Sequence, residues 1–67
     1  MKRYAVAFIS FSDNEIELNI VETEGNWKDA LNLAYPGGFD FKTEDIKEAQ
    51  KEAFDGDCMF NVKEITI

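Results

Sequence analysis

Histidine is missing from the sequence, which removes the side chain that most often serves as a general base near neutral pH. Its absence also excludes a zinc site of the common cysteine–histidine type. The segment Asp55-Gly56-Asp57 could begin a calcium loop, but the residues after it do not supply the further oxygen ligands at the required spacing. We therefore predict no catalytic residues, no metal and no cofactor, and a protein that is not an enzyme.

The sequence has a single cysteine, Cys58, so an internal disulfide is excluded. Cys58 stands at the start of an apolar strand, a position typical of a small buried hydrophobic residue. A chain of 67 residues is near the lower limit for a self-sufficient core. Without a disulfide or zinc site, it is expected to self-associate or to pack with unusual efficiency. An unpaired thiol without an export signal favours the reducing cytoplasm.

Long hydrophobic runs are also missing, since no segment approaches the roughly 20 apolar residues that span a bilayer. The apolar run over residues 4–11 follows Lys2 and Arg3, as in a signal peptide. It is too short for one and lacks a small-residue cleavage site. We predict a β-strand there and no contact with a membrane.

Basic residues are few, with 7 Lys and Arg against 14 Asp and Glu, which gives a net charge of −7. A phosphate backbone would repel such a chain, so direct binding of DNA or RNA is not expected. The acidity is in keeping with solubility of a small protein that is rich in aromatic residues.

The pattern of residues 3–11 and 15–23 predicts a β-hairpin. Its turn covers residues 12–15, with Asp13-Asn14 as a two-residue loop, because both residue types tolerate positive φ. This loop sets the register of the two strands. The predicted pairs are Phe11 with Ile16, Ile9 with Leu18, and Ala7 with Ile20.

The first strand is apolar on both faces, which suggests that it lies in the centre of the sheet. Two alanines on one face would let a helix approach closely, so that face is predicted to point towards the helices. Its residues are Ala5, Ala7, Ile9 and Phe11. The other face is predicted to be open for protein contact unless a long loop covers it. The partner-binding residues would then be Tyr4, Val6, Phe8 and Val21.

A first helix is predicted over residues 27–34, with Asn26 as N-cap and Asp29 completing a capping box. Tyr35-Pro36-Gly37-Gly38 ends it. The spacing of its apolar residues places them on one stripe facing the sheet. These residues are Trp27, Ala30, Leu31 and Ala34.

A second helix is predicted over residues 44–55, with Thr43 as N-cap and Gly56 at its C-terminal end. Its inward residues would be Ile46, Ala49, Gln50, Ala53 and Phe54. The opposite side carries a row of carboxylates, namely Glu44, Glu48, Glu52 and Asp55. This row is either an ordinary solvated surface or a docking site for a basic partner, including imitation of a DNA phosphate track.

A third strand is predicted over residues 58–67, with Phe60 and Val62 buried in one phase and Ile65 and Ile67 in the other. Either a β-bulge at Lys63-Glu64 or a change of environment explains the slip. The expected fold is a single α+β domain over residues 1–67, a two-layer β-β-α-α-β arrangement. Its three-stranded sheet has order 2-1-3 with both helices on one face. The direction of the third strand is left open.

The segments V-E-T-E at the end of the hairpin and W-K-D-A-L-N-L-A in the first helix, followed by a closing strand, form a familiar layout. Over residues 15–38 it resembles the small host RNA-polymerase inhibitors of some short-tailed phages, which are acidic β-β-α-β proteins. The second helix is an addition to that layout. The opening strand Y-A-V-A-F-I-S-F is also similar to that of uncharacterised small phage proteins. Both resemblances imply a phage-encoded adaptor or inhibitor that acts by steric binding.

These observations together favour a non-enzymatic, cytoplasmic protein–protein interaction module that binds and modulates a host protein. One alternative is an acidic nucleic-acid mimic that occupies the DNA site of a basic protein. Another is a homodimeric structural protein, in which the open apolar face closes against a second copy.

Overall fold

The computed structural model describes residues 1–65 and contains three strands and two helices. In chain order they are β1 (Lys2–Ser10), β2 (Glu15–Thr23), α1 (Trp27–Ala34), α2 (Ile46–Asp55) and β3 (Cys58–Ile65). This is the predicted α+β layout. Neither helix, at 8 and 10 residues, is long enough to cross a bilayer within the described part of the chain.

The sheet has the predicted order β2-β1-β3, and both neighbours run antiparallel to β1. The sequence left the direction of the third strand open, and the structure shows that β3 runs antiparallel to β1. The β1–β3 register runs without interruption from Arg3 opposite Ile65 to Ser10 opposite Cys58. No bulge therefore interrupts this pairing, and Ile65 lies on the other face from Phe60 because of strand alternation alone. The predicted strand residue Ile67 falls outside the described residues.

The hairpin turn is longer than predicted. Ser10 pairs with Glu15 and Ile9 with Ile16, so residues 11–14 form a four-residue loop in which Asn14 has a positive φ of 54°. The backbone N–H of Phe11 donates to the carbonyl of Asp57 at 3.0 Å instead of continuing the hairpin. The predicted two-residue turn and its register are wrong. The shift is two residues, so every side chain keeps the strand face that its number implies.

Helix α1 has the predicted bounds and the predicted capping box. The Asn26 side chain accepts from the backbone N–H groups of Lys28 and Asp29 at 3.0 and 3.4 Å, and the Asp29 carboxylate accepts from the N–H of Asn26 at 3.0 Å. These bonds satisfy donors that the first turn of a helix leaves free. The local sequence therefore determines where α1 begins.

Helix α2 begins two residues later than predicted, because Asp45 and not Thr43 is its N-cap. The Asp45 side chain accepts from the N–H of Lys47 at 3.0 Å. The Thr43 hydroxyl accepts from the N–H of Asp45 at 3.1 Å and donates to Glu48 at 2.8 Å. A carboxylate is a strong cap near the positive end of a helix, and the threonine is used in the turn before it. Glu44 therefore precedes the helix.

Both helices lie on the same side of the sheet, which we call the covered face. The core there combines large sheet residues with the small alanines of the helices and with Leu31. The short alanine side chains let the helices pack close to the sheet. Its buried members are Tyr4, Val6, Ala30, Leu31, Ala49, Ala53, Phe60 and Val62. Phe54, predicted to point inward from α2, is exposed instead.

The predicted assignment of the two sheet faces is therefore wrong. Tyr4 and Val6 are buried, and Phe8 and Val21 are partly buried against the core, so the four predicted partner-binding residues lie on the covered face. The physical reason is the size of the residues. The helices present alanines, and the sheet supplies the bulk that fills the space between the layers.

The segment between the helices also packs on the covered face. Phe39 and Phe41 stack on one another with ring centroids 5.3 Å apart, and each contacts Phe60. The Trp27 indole N–H donates to the carbonyl of Glu44 at 3.2 Å. The two phenylalanines therefore hold the loop against the core.

Candidate functional site

The side of the sheet turned away from the helices, here called the open face, has no covering element among residues 1–65. Side chains alternate between the faces of a strand, so the residues beside those of the core point the other way. From β2 these are Ile16, Leu18, Ile20 and Glu22; from β1, Arg3, Ala5, Ala7 and Ile9; from β3, Met59, Asn61, Lys63 and Ile65.

Three large aliphatic residues of β2 form a ridge along one edge of the open face. Ile16, Leu18 and Ile20 are 79%, 68% and 55% exposed. Single exposed hydrophobic residues are ordinary, but a row on successive outward positions of a regular strand makes a continuous apolar surface. We call this row the β2 ridge.

Beside the β2 ridge lies a groove along β1. Ala5 and Ala7 pair with Ile20 and Leu18 on one side, while β3 places longer side chains on the other. Because the alanine side chains are short, the centre of the face is lower than its edges. On the side of this strip towards β3, an open cavity of about 250 Å³ is lined by β1 and β3 residues and by Gln50 of α2. The strand residues are Ala7, Ile9, Met59, Phe60 and Asn61. We call this strip the alanine groove.

The apolar surface continues past one end of the alanine groove. Ile9 pairs with both Ile16 and Met59, and Met59 lines a further shallow groove with Phe54 of α2. The exposed ring of Phe11 packs edge-on against Phe54 with centroids 6.1 Å apart. The aromatic pair extends the exposed apolar surface around the end of the sheet.

The charges of the open face are concentrated at its opposite end. Arg3 and Glu22 form an exposed ion pair at 3.0 Å, and Lys63 lies opposite Ala5. Glu22 is the one carboxylate among the paired residues of this face. The open face therefore carries little of the acidity that gives the chain its charge of −7.

The predicted row of carboxylates is exposed but does not form a continuous anionic track. Glu44 precedes α2 and pairs with the ammonium of Lys28 at 3.3 Å. Glu48 accepts from the Thr43 hydroxyl, and Lys47 is exposed on the same helix. The remaining predicted residues of this row, Glu52 and Asp55, are exposed. One carboxylate of the predicted row is thus paired with an ammonium group and lies outside α2.

Asn19 of β2 faces the helices at the edge of the sheet, where it contacts Tyr35. The side-chain amide of Asn19 donates to the Tyr35 hydroxyl at 3.2 Å. Burial raises the pKa of Tyr35, and the nearby charge of Glu17 adds to this increase, while the bond from Asn19 acts in the opposite direction. This contact explains how β2 can turn its polar side towards the protein and its apolar side away.

Cys58 is partly buried at the start of β3, with its thiol 3.4 Å from the carbonyl of Ala53. No group of three metal-binding side chains is found within residues 1–65. In the described part of the chain, the open face is therefore the feature that stands out.

Comparisons of the chain with protein-family models, curated proteins and solved structures found no match. The resemblance to phage inhibitors of RNA polymerase stays a prediction.

Proposed function

We propose that this protein is a protein-binding module without catalytic activity of its own, and that the open face is its contact surface. The observation that carries the proposal is the β2 ridge, whose three side chains are all more than half exposed beside the alanine groove. Continuous exposed apolar surface with charges at its rim is typical of protein interaction sites.

The energetics favour covering the whole face at once. Fully burying an exposed Leu or Ile side chain contributes about 1.5–3 kcal/mol, so each partly exposed residue of the ridge would contribute about 1–2 kcal/mol. Association also costs several kcal/mol of lost freedom. A partner must therefore contact the ridge and the groove together.

A module of this kind acts by occupying surface on the protein that it contacts. Such steric action is also what the resemblance to phage inhibitors implies, with a host protein as the target. Mimicry of nucleic acid is less well supported, since Glu44 is paired with Lys28 and precedes α2, which shortens the row of free carboxylates.

The test compares Leu18 with Leu33, an exposed leucine on α1 that serves as a matched control. A photo-crosslinking phenylalanine analogue replaces one or the other in the cells that produce the protein. Illumination is expected to give discrete protein adducts at position 18 and none at position 33. Equal adducts at both positions, or none at position 18, would contradict the proposal.

A further inference from the structure

We propose that the partner on the open face is a second copy of this chain, packed sheet against sheet in a symmetric dimer. This inference rests on the proposed function and names the occupant of the same surface. The first argument is shape. The β2 ridge and the alanine groove lie side by side at the same level, since Leu18 pairs with Ala7 and Ile20 with Ala5.

A ridge next to a groove suits a two-fold interface, because each copy must supply both halves of the contact. Neighbouring strands lie about 4.8 Å apart, and packed sheets lie about 10 Å apart. A two-fold axis parallel to the strands, between β1 and β2, places β2 of each copy over β1 of the other. Leu18 of one copy then enters the groove at Ala7 of the other.

The second argument is charge. The same axis keeps each residue at its level along the strands, so the apolar ends meet each other and the charged ends meet each other. Arg3 pairs with Glu22 across β1 and β2, and the rotation places Arg3 of each copy over Glu22 of the other. The four charges then alternate in sign. A two-fold axis perpendicular to the strands would instead set this charged end over Ile9 and Ile16.

The distribution of carboxylates over the surface also supports a second copy of the chain as the partner. Two copies with seven excess negative charges each would repel if their acidic surfaces met. Glu22 is the one carboxylate among the paired residues of the open face, and it already has Arg3 beside it. The open face is thus a surface through which two acidic molecules can meet without a large electrostatic cost.

The third argument is area. A stable interface buries about 800 Å² on each partner. The exposed surface of this chain is 4752 Å², and the molecule measures 33 × 24 × 19 Å. An interface of that size would cover about one sixth of this surface. The dimer would also give a small domain a second apolar core, without a disulfide.

The experiment is sedimentation over a wide concentration series, which separates the 7.7 kDa monomer from a species of twice that mass. The unaltered protein and the control Leu33→Lys are expected to dimerise. Leu18→Lys places a charge in the middle of the β2 ridge, and Ala7→Leu fills the alanine groove. Each is expected to raise the dissociation constant of the dimer about ten-fold or more. Circular dichroism confirms that each variant keeps its fold.

Charge exchange tests the orientation of the two copies. Arg3→Glu places like charges opposite one another and is expected to weaken the dimer, and adding Glu22→Arg is expected to restore it. A dimer that survives both Leu18→Lys and Ala7→Leu would be built on another surface, such as the edge of β2, and would overturn the inference.

The result also separates this inference from the proposed function. The protein could stay monomeric at all concentrations while position 18 is crosslinked to proteins of other masses. That result would overturn the dimer, and the proposed binding module would stand. A monomer that gives no adduct at position 18 would contradict both.

Discussion

The covered face and the open face of the sheet are both built largely of apolar side chains, yet their construction differs. On the covered face, large residues such as Val6 and Phe60 meet the alanines of two helices. On the open face, large residues stand along the edge at β2 and small ones lie in the centre at Ala5 and Ala7. The first arrangement is filled by the protein itself, and the second leaves a ridge and a groove without a complement.

The polar residues follow the same division. Asn19 turns towards the helices and is bonded by Tyr35 at the sheet edge, while its neighbours Leu18 and Ile20 turn outward. An amphipathic strand normally turns its apolar side to the core of its own domain. Here β2 turns Ile16, Leu18 and Ile20 away from that core, as the proposed contact surface requires.

The largest expected difference between the faces is the cost of removing an aromatic ring. Phe60 is buried and contacts Trp27, Phe39 and Phe41, so Phe60→Ala should reduce the free energy of unfolding by about 3–5 kcal/mol. Phe11 is exposed, and Phe11→Ala should cost less than about 1 kcal/mol. Urea unfolding followed by circular dichroism measures both. Similar costs for the two variants would mean that the faces are not distinct.

A smaller difference is expected when a hydroxyl replaces a methyl group. Val6→Thr places a polar group where Val6 is fully buried, which should cost about 1–3 kcal/mol. Ile16→Thr alters a residue that is mostly exposed and should cost less than about 0.5 kcal/mol in the monomer. Thermal unfolding at low protein concentration makes the comparison. Destabilisation by Ile16→Thr alone would indicate that the covered and open faces have been interchanged.

The smallest effect concerns the pKa of Tyr35. Burial already raises this pKa and the bond from Asn19 lowers it, so Asn19→Ala should raise it further. Because the folded-state pKa lies above the unfolded value, the contribution of Tyr35 is fully present below about pH 10 and is lost as the pH rises from there through the folded pKa. Ultraviolet absorbance titration of the phenol measures the shift. No change would mean that Asn19 does not face Tyr35.

Much of the fold could be predicted because it depends on local signals. The capping box of Asn26 and Asp29 placed α1 correctly, and the apolar character of β1 placed it in the centre of the sheet. The start of α2 was misplaced because Thr43 and Asp45 are both good caps, and only the structure shows which one lies at the helix end.

The candidate site could not be placed from local signals, because the choice of face depends on packing between elements. Ala5 and Ala7 suggested room for a helix, but the helices carry their own alanines, such as Ala49 and Ala53, and need bulk from the sheet. The signal that could have corrected this lies in β3. Phe8 pairs with Phe60 and Val6 with Val62, so the two β3 residues predicted to be buried in the first phase share a face with the even-numbered residues of β1.

The central place of β1 has a consequence for the order of assembly. Its two neighbours come from distant parts of the sequence. Four residues separate β1 from β2, whereas β3 follows both helices. The hairpin can form early from nearby residues. The pairing of β1 with β3 joins Val6 to Val62 and Tyr4 to Glu64, 56 and 60 positions apart, and such distant pairing is slow compared with local contacts. Until β3 pairs with β1, α2 lacks the strand on which it packs, so the hairpin exposes apolar side chains on both of its faces. The docking of α2 together with β3 completes the layer that covers one of them.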